Sequence, residues 1–271
     1  MHLWIASCGE TIDEYLLSGY RGLLDPAERA RESRFYFAAD RRQYVIARAL
    51  VRTTLSRYIR IDPVDWVFSA NAYGRPEIAS PGAKEAGMSF NVSHTRGLIA
   101  LGVTLHRALG VDVENFRTRQ ISMDVANRYF APEEVADIIA TPEQDRQHRF
   151  FEYWTLKEAY IKARGMGLSL PLDKFVFRYA DPHGVEIVID PELGDDSTRW
   201  HLWQFQPSQE CLAAVCAERI GSYTPRLVGR HAARGPVDEP YSFEIVRASR
   251  AAGSSRTAAV RGPGAAASCD G

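Results

Sequence analysis

Apolar and polar positions in the first third of the chain alternate at strand and helix spacings. Met1–Ala6 is a short, largely apolar run that predicts a first strand. A helix is expected from Asp25, which can cap it and is followed by a proline suited to the first turn, to about Phe37. A longer helix is expected from about Asp40 to Tyr58, because Tyr44, Ala47, Val51, Leu55 and Tyr58 recur at helical spacing.

The middle and later parts of the chain predict strands, two more helices and further strands. The apolar runs Leu98–Val103 and Leu109–Glu114 predict an antiparallel hairpin. A helix is expected to open at Ala131, and a strong one to run from Arg149 to about Arg164 before a glycine. The runs that follow predict the strands of a meander: Phe175–Arg178, Val185–Ile189, Trp200–Phe205 and Cys211–Cys216.

The order of helices then strands occurs twice, which hints at two similar α+β halves. We expect an N-terminal lobe over residues 1–104, a C-terminal lobe over 105–221 and a low-complexity, disordered tail over 222–271. Within that tail, Tyr241–Val246 could be a stray strand or a docking segment. We expect no catalytic role for the tail.

Composition and charge narrow the class of protein. The chain has 271 residues, 45% hydrophobic and 25% charged, with a net charge of -1. Such a chain is typical of a soluble globular protein with no general attraction to nucleic acid, so any anion site must be local. Four cysteines without metal-ligand spacing and the absence of a span of ~20 apolar residues predict a cytoplasmic protein that does not enter a membrane.

Three acidic residues form the most informative pattern. Asp112 and Glu114 are two residues apart in a predicted strand, so both side chains point to the same face. Glu158 and Lys162 are four apart in a predicted helix and share a face there. Carboxylates beside lysines suit a hard cation that grips an anionic phosphate substrate. Taken alone, Asp112 and Glu114 could equally be surface acids at the end of a strand.

A line of arginines on the Asp40–Tyr58 helix has two interpretations. Arg41, Arg48 and Arg52 return to nearly the same angle of the helix because they are seven and four residues apart. They could form a solvated basic face or a stripe that faces an anion.

Two segments carry a family resemblance. Gly110-Val111-Asp112-Val113-Glu114 and Trp154-Thr155-Leu156-Lys157-Glu158-Ala159-Tyr160-Ile161-Lys162 resemble the two signature motifs of 4'-phosphopantetheinyl transferases, in the large two-lobed type that activates surfactin synthetase. Supporting segments follow the same order: Tyr73-Gly74-Arg75-Pro76, Phe90-Asn91-Val92-Ser93-His94 and Gly165-Met166-Gly167-Leu168. The resemblance spans about Leu23 to Leu172 and continues more weakly to about Arg219.

The resemblance implies a fold, a reaction and a metal. The fold would be two pseudo-symmetric α+β lobes with the active site in the cleft between them. The enzyme would move the phosphopantetheine arm of coenzyme A onto a serine of an apo acyl or peptidyl carrier protein and release adenosine 3',5'-bisphosphate. Asp112, Glu114 and Glu158 would hold Mg2+, or Mn2+ in its place.

The resemblance also implies roles for other residues. Glu134 matches the position proposed as the general base, a role that a metal-bound water could also take, and Lys157 and Lys162 would add positive charge at the phosphates. These two lysines, together with six further residues, are the expected contacts of coenzyme A: Arg31, Tyr44, Arg48, Arg75, Ser93 and His94. Glu28 stands where some members have lysine, so no phosphate contact is expected there. Trp154 is expected to be a core residue.

Two other functions remain open at this level. Asp-x-Glu with a later Glu and Lys can build a Mg2+-dependent nuclease or phosphodiesterase, although the near-zero net charge speaks against it. The chain could also be a non-catalytic carrier-protein binder. A monomer is expected, because two lobes in one chain would form the cleft without a partner, and the sequence leaves the carrier and its pathway open.

Overall fold

The computed structural model describes residues 1–8, 13–118, 121–221, 223, 225–232 and 239–250. Predictions for residues 251–271 therefore lie outside the described residues. Within the described part of the chain, no helix combines the length and apolar character that a membrane crossing requires.

Side-chain or glycine caps mark some of the helix ends. Among the described residues the α-helices are α1 (Glu14–Gly22), α2 (Pro26–Glu32), α3 (Ala38–Leu55), α4 (Pro81–Glu85), α5 (Met123–Tyr129), α6 (Pro132–Ala140) and α7 (Arg146–Arg164). Asp25 and Glu28 cap α2 reciprocally, each carboxylate accepting from the other residue's backbone N–H at 2.8 and 3.0 Å. Gly165 ends α7 in a left-handed conformation with φ 67°.

The strands form two large sheets and one small hairpin. The described strands are β1 (His2–Ser7), β2 (Phe68–Ala70), β3 (Pro76–Ile78), β4 (Met88–Thr95), β5 (Leu98–Leu105), β6 (Leu109–Asn115), β7 (Phe175–Asp181), β8 (Gly184–Ile189), β9 (Trp200–Ser208), β10 (Cys211–Glu218), β11 (Val228–His231), β12 (Glu239–Pro240) and β13 (Glu244–Ala248). The first sheet has the order β12-β11-β1-β5-β4 and the second β6-β10-β9-β13-β8-β7. Strands β2 and β3 pair with each other.

The two sheets pack face to face between outer layers of helices. Alternate residues of β1 divide between two cores: Leu3 and Ile5 join the strands of the second sheet, whereas Trp4 packs against α3. The second sheet likewise buries its other face against α7, where Leu212 meets Leu156. The result is an α+β fold of two lobes, each with a sheet and its own helices, joined by a shared apolar core.

A row of polar side chains joins the edges of the two sheets. The backbone N–H groups of Val111, Val113 and Asn115 in β6 donate to side-chain oxygens of β4 at 2.8, 3.3 and 2.9 Å. The acceptors are Asn91, Ser93 and Thr95 in turn. The free edge of β6 is therefore satisfied by side chains instead of another strand, and both edges are held in register.

The structure corrects the predicted hairpin and meander. Strands β5 and β6 do not pair, because both edges of β5 are taken by β1 and β4 while β6 pairs with β10. The later strands are two hairpins with β13 inserted between them. Helix α2 also ends at Glu32 instead of near Phe37.

The structure also corrects the predicted tail at its described residues 225–232 and 239–250, which contain strands. Strand β11 runs parallel to β1 in the first sheet, and β13 pairs with β9 in the second. The apolar side chain of Phe243 supplies the packing, with its ring 4.4 Å from that of Phe205. The boundary between the lobes near residue 104 remains a prediction, as does the absence of a catalytic role for this segment.

Candidate active site

The two motifs meet because one glycine lets a helix lie directly on a strand. Gly110, Asp112 and Glu114 alternate onto the face of β6 that meets α7. A Cβ built on Gly110 would lie 1.9 Å from the carbonyl oxygen of Ala159 and 2.4 Å from the backbone nitrogen of Ala163. Only glycine permits this approach, which brings Glu158 of α7 beside the carboxylates of β6.

An open pocket of about 320 Å³ holds the acids that the sequence singles out. Its walls come from β4, β6 and α7, and its lining residues are Val92, Ser93, His94, Asp112, Glu114, Trp154, Glu158 and Lys162. The structure thus brings together all three predicted metal ligands and three of the predicted coenzyme contacts, Ser93, His94 and Lys162.

One carboxylate oxygen of Asp112 accepts hydrogen bonds, and the other has no hydrogen-bond partner among the described residues. Its Oδ1 accepts from Lys162 Nζ at 2.7 Å and from Ser93 Oγ at 3.0 Å. Its Oδ2 is buried and has no hydrogen-bond partner among the described residues. A buried carboxylate oxygen without a partner is costly, and a cation would satisfy it.

Ser93 links three groups at the base of the pocket. Its hydroxyl donates to Asp112, accepts from Lys162 Nζ at 3.0 Å and accepts from the backbone N–H of Val113 at 3.3 Å. Because Ser93 lies on β4 and Asp112 on β6, this hydroxyl fixes the aspartate relative to both sheets.

The other two carboxylates are set by α7. Burial raises the pKa of Glu158, the charge of Asp112 raises it further and Lys162 counteracts both effects. Trp154 donates its indole N–H to Glu114 Oε1 at 3.2 Å. Trp154 packs against the core of the C-terminal lobe, as expected, and it also lines the pocket. Its i, i+4 spacing from Glu158 could have indicated this second role.

The donor set suits a hard cation, although a complete cluster is not preformed. Among the described residues, no three His, Cys, Asp or Glu side chains lie close enough together to hold a metal ion. The unpartnered Oδ2 of Asp112 and the raised pKa of Glu158 both indicate carboxylates that lack positive charge. Oxygen ligands of this type are those that Mg2+ prefers.

His94 stands at the rim of the pocket with an exposed side chain. Neighbouring protein atoms partly shield the imidazole from water, and this desolvation lowers its pKa. The positive charge of Lys162 lowers the pKa further. A neutral imidazole at neutral pH can donate to or accept from a polar ligand without adding charge.

Glu134 and Lys157, both predicted to be catalytic, lie instead in the core of the C-terminal lobe. Lys157 is fully buried and its ammonium donates to Glu134 Oε2 at 2.8 Å and to the carbonyl oxygens of Leu172 and Phe175, both at 2.7 Å. These three bonds use its three protons, so none is left for a phosphate.

Both carboxylate oxygens of Glu134 also accept hydrogen bonds within the core. The carboxylate accepts from the backbone N–H groups of Ala131 and Phe177 at 3.1 and 3.0 Å in addition to Lys157. Burial raises the pKa of Glu134 and lowers that of Lys157, while each charge counteracts the shift of the other. The structure therefore corrects both assignments, because this pair ties α6 and β7 to α7 and does not line the pocket.

Arg48 and Arg52 of α3 face a carboxylate of the protein itself and not solvent or a substrate anion. Arg48 forms an ion pair with Glu28, and its guanidinium lies 4.6 Å from the Phe68 ring centroid. Arg52 is fully buried and bonds Glu28 and Asp25 at 2.8 and 3.1 Å. Glu28 thus serves as the anion for both arginines, which corrects the expected coenzyme contact of Arg48.

Arg31 and Tyr44 stand apart from the acidic pocket. The Arg31 guanidinium lies 5.8 Å from the Tyr44 ring centroid. Arg31 is exposed and lines a wide hollow of about 710 Å³ with Ala27, Ala30, Arg34 and Phe35.

Arg75 bridges the two lobes. Its guanidinium donates to the carbonyl oxygens of Ala163 and Leu109, both at 3.2 Å, and burial lowers its pKa. Asn71, at the start of the same turn, donates to the Gly165 carbonyl at 2.8 Å. The turn between β2 and β3 therefore holds the end of α7, and Nε of Arg75 is buried without a partner among the described residues.

Comparison with known proteins identifies relatives along most of the chain. Residues 108–216 match the 4'-phosphopantetheinyl transferase superfamily model, and residues 14–105 match the model of the 4'-phosphopantetheinyl transferase N-terminal domain. The chain is 31% identical over 224 residues to the 4'-phosphopantetheinyl transferase HetI of a Nostoc species, covering 82% of this chain and 89% of the relative.

Two further proteins are similar. The chain is 32% identical over 198 residues to the 4'-phosphopantetheinyl transferase Sfp of Bacillus subtilis, covering 73% of this chain and 84% of that protein. The crystal structure of the holo-[acyl-carrier-protein] synthase of Thermotoga maritima overlaps 41% of this chain and 62% of that one with 17% identity. Its TM-score of 0.34 is too low to establish a shared overall fold.

Proposed function

We propose that this chain, which belongs to the 4'-phosphopantetheinyl transferase superfamily and is a transferase of the Sfp type, uses the Asp112 pocket as a Mg2+-dependent site. Its substrates would be coenzyme A and an apo acyl or peptidyl carrier protein. The serine hydroxyl of the carrier attacks the phosphorus that bears the pantetheine arm, and the bond from that phosphorus to the bridging oxygen breaks. The products are the modified carrier and adenosine 3',5'-bisphosphate.

One observation carries this proposal: only one of the two carboxylate oxygens of Asp112 has a positively charged partner in the protein. Oδ1 is neutralised by Lys162, whereas the buried Oδ2 lacks a partner among the described residues. A cation at Oδ2 and the ammonium at Oδ1 would together attract a substrate with more than one negative charge. The pyrophosphate of coenzyme A is such a group.

Mg2+ would be held by Asp112, Glu114 and Glu158, and when bound it supplies positive charge to the phosphate oxygens. Lys162 supplies a second positive charge from the opposite side of the aspartate. Ser93 keeps Lys162 and Asp112 in place, and Trp154 does the same for Glu114. Phosphoryl transfer depends mainly on such positioning and neutralisation of charge.

The carrier serine must give up its proton during the attack. A proton acceptor has to lie within hydrogen-bond reach of that hydroxyl. Glu134 is bonded on both oxygens within the core, so it does not meet this condition. Glu158 lines the pocket and has two carboxylate oxygens, so one can face the cation while the other accepts the proton.

The remaining coenzyme contacts stay proposals from the family resemblance. Arg31 and Tyr44 would meet the nucleotide end of coenzyme A beside the hollow that Arg31 lines. We also propose that the protein is a monomer, because β4, β6 and α7 of one chain supply all the walls of the pocket. A cytoplasmic location, expected from the sequence, stays a proposal as well.

Titration with coenzyme A tests the site. We expect binding in the presence of Mg2+ and weak binding after chelation of the metal, measured by calorimetry. Asp112→Asn should abolish the Mg2+ dependence while leaving the fold intact, and Asp181→Asn, an exposed ion-pair residue far along the chain, serves as the control. Equal binding with and without Mg2+ would exclude the proposed metal role.

A further inference from the structure

The last described strand occupies the middle of the C-terminal sheet. Strand β13 pairs with β9 antiparallel and with β8 parallel, so it separates the two hairpins of that sheet. The two family models match residues 14–105 and 108–216, and β13 begins at Glu244, beyond both. This central strand is therefore a feature of this chain that the matched regions do not include.

One arginine of β13 reaches the helix that carries the second motif. Arg247 donates through Nη1 to Glu152 Oε1 at 2.7 Å and to Gln204 Oε1 at 2.9 Å. Its guanidinium lies 4.5 Å from the centroid of the Tyr179 ring. Glu152 belongs to α7 and is 5% exposed, so this ion pair is largely removed from water.

Glu152 is the centre of a network that involves several elements. Its other oxygen, Oε2, accepts from Arg149 at 2.7 Å, and Arg149 also contacts Asp137 of α6 at 2.6 Å. The Tyr179 ring of β7 contacts Arg149 as well as Arg247, with the Arg149 guanidinium 4.3 Å from its centroid. The carboxylate thus balances two guanidinium groups, one from its own helix and one from β13.

A second connection runs from β9 to the backbone of α7. Gln204 Nε2 donates to the Glu152 carbonyl oxygen at 2.8 Å and to Thr155 Oγ1 at 3.2 Å. Because Arg247 donates to the other end of the same amide, it also fixes the orientation of Gln204. Arg247 therefore acts on α7 both through the Glu152 carboxylate and through the Gln204 amide.

These contacts lie close to the pocket along the helix axis. Glu152 precedes Trp154 by two residues and Glu158 by six, which corresponds to about 9 Å of rise. We infer that Arg247 is a positioning residue for the transferase site: by holding α7 at Glu152 it sets the distance of Trp154 and Glu158 from the carboxylates of β6. The expected effect on transfer kinetics rests on the proposed function. The effect on the position of α7 does not, because it can be measured without turnover.

Substitution of Arg247 tests the inference against a matched control in the same segment. Arg250 forms an exposed ion pair with Asp181, so Arg250→Ala removes a guanidinium without contact to α7. At a temperature at which all variants are folded, we expect Arg247→Ala to raise the Mg2+ concentration for half-maximal transfer by roughly tenfold. Arg247→Lys should recover part of the effect, and Arg250→Ala should remain within about twofold of the parent protein.

Hydrogen–deuterium exchange of the α7 amides provides the readout that does not need activity. Faster exchange over Glu152–Lys162 in Arg247→Ala, with no change in Arg250→Ala, supports the inference even if the parent protein transfers nothing to the carriers tried. Unchanged exchange in α7 together with an unchanged Mg2+ dependence would overturn it and leave β13 as a purely stabilising strand. If Arg247→Ala does not fold, Arg247→Gln, which retains a donor for Gln204, carries the same two measurements.

Discussion

Gly110 of β6 lies against Ala159 of α7 so closely that a Cβ on Gly110 would stand 1.9 Å from the Ala159 carbonyl oxygen. The obstacle is backbone on both sides, so neither element can yield by a change of rotamer. This contact places the strand with Asp112 and the helix with Glu158 side by side. The close approach of the two signature motifs therefore requires the absence of a side chain at position 110.

Gly110→Ala should push α7 away from β6. We expect a loss of stability of about 1–3 kcal/mol or more, together with a loss of transfer activity larger than the fraction of unfolded protein explains. A Cβ added at Gly82, in the short helix α4, would meet no atom within 4 Å, so Gly82→Ala is the control and should change neither property. Thermal denaturation and turnover of both variants check this, and a fully active Gly110→Ala would contradict the account of how the motifs meet.

Substitutions of the two lysines of the second motif should have different effects, one mainly on turnover and the other mainly on stability. Lys162→Ala should reduce turnover by about 10²–10³, because it removes a positive charge at the phosphates. It also removes the cation of Asp112, but Lys162 is partly exposed, so the loss of stability should be smaller than for the fully buried Lys157. Lys157→Met leaves Glu134 buried without its cation and should cost roughly 3–5 kcal/mol of stability.

Combining Lys157→Met with Glu134→Gln removes both charges and should restore much of the stability that Lys157→Met loses. Denaturant titration measures the free energy of unfolding, and turnover of the folded variants measures the chemistry. If the double variant were stable but as inactive as Lys162→Ala, the structural role assigned to Glu134 and Lys157 would be wrong.

Substitution of Arg75 distinguishes a structural role of this residue from a role in binding coenzyme A. Because its guanidinium donates to carbonyl oxygens of Leu109 and Ala163, Arg75→Ala should lower the melting temperature as well as raise the KM for coenzyme A. Asn71→Ala removes a single bond to Gly165 in the same turn and should show a smaller shift of the same kind. A raised KM without any loss of stability in Arg75→Ala would show that the residue contacts the coenzyme alone.

His201 should make stability depend on pH. Burial, assisted by the charge of Arg219, lowers its pKa to about 4 in the folded protein, whereas the unfolded chain has an ordinary histidine. The neutral form is favoured on folding, so its contribution is complete above about pH 6.5 and is lost as the pH falls toward about 4.

His201→Gln removes this titration. The difference in melting temperature between the variant and the parent protein should therefore shift in favour of the variant between pH 7 and pH 4.5. A difference that stays constant over this range would mean that His201 is not held neutral by the fold. Arg219→Gln, which removes the neighbouring charge, should weaken the pH dependence without abolishing it.

The sequence predicted the pocket better than its surroundings. Alternation in β6 and the i, i+4 spacing in α7 placed Asp112, Glu114, Glu158 and Lys162 correctly, because such patterns depend on local geometry alone. Lys157 lies one residue before Glu158, and its burial follows from the 100° rotation between neighbours on a helix, which points it into the core.

Other features depend on contacts between distant segments. The pairing of β5 with β1, and the insertion of β13 between the two later hairpins, involve partners far apart in the chain, so no local pattern reveals them. The hairpin of β4 and β5 is local, with Thr95 opposite Leu98, and its occupation of the second edge of β5 leaves no place there for β6. The ion pairs that Glu28 makes with Arg48 and Arg52 are also contacts between distant segments. For this reason Arg48 and Arg52 were predicted to face solvent or a bound anion, whereas they neutralise the buried carboxylate of Glu28.

The most direct test of the central claim is the mass of an apo carrier protein after incubation with the enzyme, coenzyme A and Mg2+, across a panel of acyl and peptidyl carriers. We expect at least one carrier to gain the mass of one phosphopantetheine arm with the parent protein, and the gain to be lost with Asp112→Asn or after chelation of the metal. An equal gain with Asp112→Asn, or a gain that persists without divalent cation, would contradict the role given to the Asp112 pocket.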